Sequence, residues 1–168
     1  MIQLRLPEES PRMVVEVARV IRVALPDVPL LVNGRADIAL AAGAAGVHLG
    51  SEDVSPASLR RAVPSGFVIG ASVASDVDVA RTAGADYVGV GPVFAAARTD
   101  SSALGLQRFM TLAQMCGLPA VAIGGVSSAN VGEVMRSGAS GVVSALFAAA
   151  DPMQAARAIH DAQDASGS

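Results

Sequence analysis

One joint is written three times into this chain. The segments Ala41-Ala42-Gly43-Ala44-Ala45-Gly46-Val47-His48-Leu49, Thr82-Ala83-Gly84-Ala85-Asp86-Tyr87-Val88-Gly89-Val90 and Arg136-Ser137-Gly138-Ala139-Ser140-Gly141-Val142-Val143-Ser144 each close a helical pattern on glycine and then enter a β-branched strand. A glycine there takes the left-handed conformation that ends a helix without a Cβ clash. Helix stop, short turn and strand is the αβ joint of a parallel sheet. The joints recur about forty to fifty residues apart, so each interval holds roughly two βα units and not a single solenoid repeat.

Filling those intervals predicts strands at Ile2–Leu6, Pro29–Asn33, Gly46–Leu49, Phe67–Ser72, Tyr87–Val90, Ala120–Ile123 and Gly141–Ser144. Helical patterns lie between them, at Met13–Val23, Ala36–Ala42, Pro56–Ala62, Asp76–Ala83, Leu104–Met115, Ala129–Ser137 and Pro152–Ala162. Ser10-Pro11, Ser55-Pro56 and Asp151-Pro152 are start signals, an N-cap followed by proline at the first helical position; Ser127 and Ser128 are cap candidates for the sixth helix. Strict alternation of this kind specifies a (β/α) barrel or a doubly wound sheet. The chain is 52% apolar and 3% aromatic, with no Trp, which suits small-residue packing of helices on a parallel sheet. With 168 residues and no linker, the expected organisation is one domain over 1–164 and a frayed tail at 165–168.

Several classes are set aside by composition. A formal charge of −3 with scattered Arg gives no basic stripe for nucleic acid. A single cysteine, Cys116, makes no intrachain disulfide framework and fits a reducing cytoplasm. No apolar run approaches a membrane span, and no leader pattern opens the chain.

Two strand ends carry the chemistry. Pro119-Ala120-Val121-Ala122-Ile123-Gly124-Gly125-Val126-Ser127 and Gly141-Val142-Val143-Ser144 run from β-branched residues into small ones. At the C-terminal ends of parallel strands, such backbone can aim N–H groups and a helix N-terminus at a phosphate. The same glycines also fit a tight strand-to-helix turn. Asp53 reads as a helix cap ahead of Ser55-Pro56, and His48 as a core histidine or a pocket residue. Gln3 and Arg5 share one face of a short strand by its period of two. A buried arginine there would need an anion or an internal ion pair. Arg35 and Asp37 begin a helix and Asp86 guards a strand entrance, all three with structural roles expected.

These motifs, in this order, resemble the family containing thiamine-phosphate synthase and thiazole tautomerase. The match runs through Gln3-Leu4-Arg5, Leu31-Val32-Asn33-Gly34-Arg35-Ala36-Asp37, Gly46-Val47-His48-Leu49-Gly50-Ser51-Glu52-Asp53, Ile69-Gly70-Ala71-Ser72-Val73, Ala85–Phe94 and the two strand ends above. The resemblance implies a TIM barrel and a reaction in which a pyrimidine pyrophosphate, held with Mg²⁺, loses pyrophosphate and is captured by a thiazole phosphate. It places Gln3, Arg5, Asn33 and Ser72 on the pyrimidine pyrophosphate and Asp53 on Mg²⁺. It places Gly124, Gly125, Val143 and Ser144 on the thiazole phosphate. The chain departs from the pattern where a second metal carboxylate is Gly34, a lysine is Pro7 and the tautomerase histidine is Ala74. The segment Ala95-Ala96-Ala97-Arg98-Thr99 leaves Arg98 as the one candidate to replace a further lysine. Ile2–Arg5 matches the family's second strand, which implies a barrel shortened at its N-terminus to seven strands, its first βα unit absent. A late start, a shortened chain, or a partner (a second copy included) covering the open edge are the three readings of that gap. The alternatives to synthase activity are a tautomerase-like isomerase and a non-catalytic thiazole- or thiamine-phosphate binder.

Overall fold

The computed structural model describes residues 1–95, 102–144 and 149–164. Fourteen elements alternate without exception: β1 (Ile2–Leu4), α1 (Pro11–Ala24), β2 (Leu30–Asn33), α2 (Ala36–Ala42), β3 (Gly46–Leu49), α3 (Pro56–Arg60), β4 (Val68–Val73), α4 (Asp76–Val79), β5 (Tyr87–Val90), α5 (Gly105–Cys116), β6 (Ala120–Val126), α6 (Val131–Arg136), β7 (Gly141–Ser144) and α7 (Pro152–Asp164). They group into two compact units, one formed by Met1–Ser72 with Ala80–Asp86, the other by Val73–Val79 with Tyr87–Ser168. Among the described residues no helix is long and apolar enough to cross a membrane.

In the first unit β1, β2, β3 and β4 pair in parallel, with Leu4 opposite Val32, Asn33 opposite His48 and His48 opposite Gly70. Its core is the apolar side of these strands, Leu30, Val32, Val47, Leu49 and Ile69, covered by Val14 and Ala18 of α1 and by Ile38 and Ala39 of α2. Helix α1 starts where Ser10 accepts the Met13 N–H, with Pro11 in the first turn. Arg22, in its last turn, donates to the Ala42 carbonyl at 2.9 Å and so ties α1 to the end of α2. Asp86 is the structural acid that its position suggested. One of its oxygens takes the Ile69 N–H at 2.7 Å and the Arg60 guanidinium at 2.5 Å.

In the second unit β5, β6 and β7 pair in parallel around Val88, Val90, Ala120 and Ala122, with Phe109 and Leu112 of α5 and Val131 and Val134 of α6 packed on them. Two of the glycine joints are as the sequence specifies, Gly43 and Gly138 following α2 and α6 with φ of 67° and 89°; Gly84 has φ of 87° but lies in a turn, since α4 ends at Val79.

Several local expectations change; β1 stops at Leu4, short of Leu6, and α3 at Arg60, short of Ala62. Helix α4 has 4 residues and stops at Val79, short of the predicted Ala83. Past that point Arg81 donates to the Asp53 carbonyl at 3.0 Å, and residues 80–86 belong with the first unit and not with the helix. Strand β6 continues past Ile123 to Val126, carrying both glycines inside it. Asn130, not Ser127 or Ser128, stands at the N-cap position of α6, and it makes no side-chain cap bond, its amide being engaged by the Ser127 N–H and the Gly125 carbonyl.

Candidate functional site

The candidate residues fall into two groups, one in each unit. In the first unit they sit where β1 to β4 end. Asn33 closes β2, half-buried, and the chain turns at Gly34 with φ +70° while its N–H donates to the His48 carbonyl at 2.8 Å. Asp53 lies directly over that turn. A Cβ added at Gly34 would stand 3.3 Å from Asp53 Oδ2 and 3.5 Å from Oδ1. The same Oδ2 accepts the Gly50 N–H at 2.7 Å, closing the loop after β3. Asp53 is therefore held by its own loop and not as the cap of α3; Ser55 takes that place, accepting the Ser58 N–H.

Ser72, half-buried near the end of β4, is hydrogen-bonded to His48 Nε2 at 3.0 Å. His48 is 3% exposed, and burial pushes its pKa down to about 4, with the Asp53 charge pulling the other way. The sequence left His48 open between core and pocket. The structure makes it a buried side chain, hydrogen-bonded at Nε2 to Ser72.

Arg5 and Asn33 line one cleft of about 140 Å³ together with Pro7, Glu9 and Arg35. Arg5 is exposed, not buried, so the argument that burial demands an anion does not apply to it. Gln3 is exposed on β1, opposite Leu31, and the cleft does not include it. Arg35 is paired with Asp37 through two hydrogen bonds, of 2.8 and 2.5 Å, as a structural start to α2.

In the second unit the β6–β7 ladder pairs Ile123 with Val143 and then Val126 with Ser144, skipping Gly124 and Gly125. Such irregularities re-aim backbone next to functional sites. The skipped residues meet the chain after β5: Val93 N–H donates to the Ile123 carbonyl at 2.8 Å and Phe94 N–H to the Gly124 carbonyl at 3.1 Å. Only glycine fits this approach. With φ of +65° at Gly125, a Cβ there would lie 2.6 Å from the Phe94 Cβ and 2.9 Å from the Ala95 carbonyl.

Asn130 completes the turn. Its Oδ1 accepts the Ser127 N–H at 2.8 Å and its Nδ2 donates to the Gly125 carbonyl at 3.0 Å. An Asn five residues after a glycine pair, at a helix start, was the available signal for it. Asn130→Ala should cost about 1 kcal/mol and lower the thermal midpoint by roughly 2–4 °C, measured by calorimetry. Val143 and Ser144 end β7 beside this bulge. Arg98 lies outside the described residues.

Residues 1–146 match the model of the thiamine monophosphate synthase family. The chain belongs to that family. It is 41% identical over 166 residues to a thiamine-phosphate synthase of Xanthobacter autotrophicus, covering 94% of this chain and 79% of that one. It is 43% identical over 168 residues to one of Methanoculleus marisnigri, covering 95% and 80%. Among solved structures, it superposes on a thiamine phosphate pyrophosphorylase from Pyrococcus furiosus with a TM-score of 0.88 and 32% identity, over 98% of this chain and 82% of that one. The fold is thus the α/β, TIM-like one of this family, here with seven parallel strands.

Proposed function

We propose that the protein is a thiamine-phosphate synthase, which joins a pyrimidine pyrophosphate to a thiazole phosphate and releases pyrophosphate. The observation that carries this reading is that its likeness to thiamine-phosphate synthases runs over 94% and 95% of the chain, through both groups of candidate residues. In this reaction the carbon–oxygen bond to the leaving pyrophosphate breaks to give a stabilised pyrimidine cation. The thiazole nitrogen then donates its lone pair to that carbon. Little proton transfer is required, so catalysis rests on holding anions and on neutralising the leaving charge.

The residues suit those tasks. Arg5 and Asn33, at one cleft, are assigned to the pyrimidine pyrophosphate with Ser72 and Gln3. Gly124 and Gly125 are assigned to the thiazole phosphate, with Val143 and Ser144 on the adjoining strand and Arg98 as a possible further cation. Peptide planarity supports the glycine assignment. The Gly124 carbonyl faces the Phe94 N–H, so the Gly125 N–H in the same trans peptide points to the opposite side.

For Mg²⁺ the donor set fits in reduced form. Mg²⁺ is usually held by one or two carboxylates, waters and the substrate's phosphates. Asp53 offers one hard carboxylate whose Oδ2 is oriented by Gly50, and Gly34 offers none. Among the described residues no group of three or more His, Cys, Asp or Glu could hold a metal. Bound there, Mg²⁺ supplies neutralisation of the leaving pyrophosphate. The chain's single cysteine, Cys116, agrees with a reducing cytoplasm, where we place the activity.

The test is formation of thiamine phosphate from the two substrates with and without Mg²⁺. Metal-dependent turnover is expected. Asp53→Asn should lower kcat/KM for the pyrimidine pyrophosphate on the order of a hundredfold while calorimetric affinity for thiazole phosphate stays unchanged. Tight thiazole-phosphate binding with no turnover would reduce the protein to a binder and end the synthase reading.

A further inference from the structure

The bond between His48 Nε2 and Ser72 Oγ joins neighbouring strands. His48 is in register with Gly70 on β4, and Ser72 stands two residues further toward the end of that strand. The ring is buried, His48 being 3% exposed, on the face of β3 opposite to Val47 and Leu49. It is neutral at ordinary pH, because burial disfavours its charged form.

A neutral imidazole has one N–H and one lone pair, and a serine hydroxyl has one proton. Only two arrangements satisfy the 3.0 Å contact. If Ser72 donates to Nε2, its oxygen turns lone pairs alone toward the site. If Nε2–H donates to Oγ, the hydroxyl proton is left over for a ligand. A pyrophosphate oxygen repels the first arrangement and accepts from the second.

The geometry points to His48 as a positioning residue: its Nε2–H tautomer donates to Ser72 Oγ and turns the Ser72 proton toward an anionic oxygen of the pyrimidine pyrophosphate. This rests on the assignment of Ser72 to that substrate. His48 itself touches no substrate in this account. Its imidazole fixes which end of a neighbouring hydroxyl faces the ligand, as outer partners commonly fix the orientation of groups that bind directly.

The tautomer is read by nitrogen-15 NMR of the histidine rings at neutral pH. The chain has 2 histidines, so a His160→Gln variant assigns the spectrum. Protonated Nε2 on His48, with a resonance that moves on Ser72→Ala, is expected; protonated Nδ1 overturns the inference. Kinetics give the second readout. His48→Leu should raise KM for the pyrimidine pyrophosphate about tenfold and leave KM for thiazole phosphate unchanged. His48→Gln, whose amide keeps an N–H donor, should recover most of that loss, and His48→Leu added to Ser72→Ala should cost nothing more. Equal losses toward both substrates, or additive ones, would overturn it. If Ser72→Ala leaves KM for the pyrimidine pyrophosphate unchanged, the Ser72 assignment fails and the inference falls with it. If Ser72→Ala raises that KM and His48→Leu does not, the role of His48 alone is refuted.

Discussion

Gly125→Asp should leave thiazole-phosphate binding undetectable by calorimetry and slow thiamine phosphate formation by about a thousandfold, roughly 4 kcal/mol. Three effects act together. An L-residue at φ +65° is strained by about 1–3 kcal/mol. Its Cβ would overlap the Phe94 Cβ, 2.6 Å away, and crowd the Ala95 carbonyl, so the chain after β5 must lift from the end of β6. Its carboxylate would then repel the phosphate that the Gly125 N–H is assigned to hold. Gly125→Ala separates the terms, since it keeps the strain and the overlap without the charge; it should weaken binding by an intermediate amount. Thermal unfolding of both variants reports the structural part alone. A folded Gly125→Asp protein that binds thiazole phosphate as tightly as wild type would remove these glycines from the site.

The architecture was legible because its signals are local. A glycine that must close a helix, followed by β-branched residues, can be read without knowing what lies across the sheet, and Gly43 and Gly138 carry the positive φ that the joint requires; Gly84 carries it in a turn beyond the end of α4. Cap assignments fared less evenly. Ser10, Ser55 and Asp151 were readable from a following proline. Asn130 was not, because its side chain reaches back to Ser127 and Gly125 instead of forward into α6. The end of α4 was hidden for a related reason: Arg81 is drawn off by the Asp53 carbonyl, 28 positions earlier in the chain.

Site residues show the same division. The glycine pair stood out as a strand running into small residues, but the reason for glycine is the backbone of residues 92–95 lying against it, which no spacing encodes. Period two put Gln3 and Arg5 on one face, yet β1 ends at Leu4, so Arg5 stands beyond the strand and exposed. Asp53 was legible as an acid near a helix start. Its position over Gly34 depends on two loops meeting.

Acid should destabilise this protein through His48 by up to about 3 kcal/mol. In the unfolded chain the ring titrates at its ordinary value of about 6.5, whereas burial in the folded state holds it down to about 4. Between these two values the unfolded chain carries a proton that the folded protein excludes. Stability therefore falls as pH drops from about 6.5 toward 4, and the contribution is fully lost below the lower value, where both states are protonated. Asp53 opposes the shift by favouring the charged ring, but burial is the larger effect, so the direction stands. Urea unfolding at fixed pH values from 7 to 4 measures the slope, and His48→Gln, which cannot take up a proton, should flatten it by that amount. An unchanged slope in a folded His48→Gln variant would show that the buried ring accepts its proton without cost, and that burial does not keep it neutral.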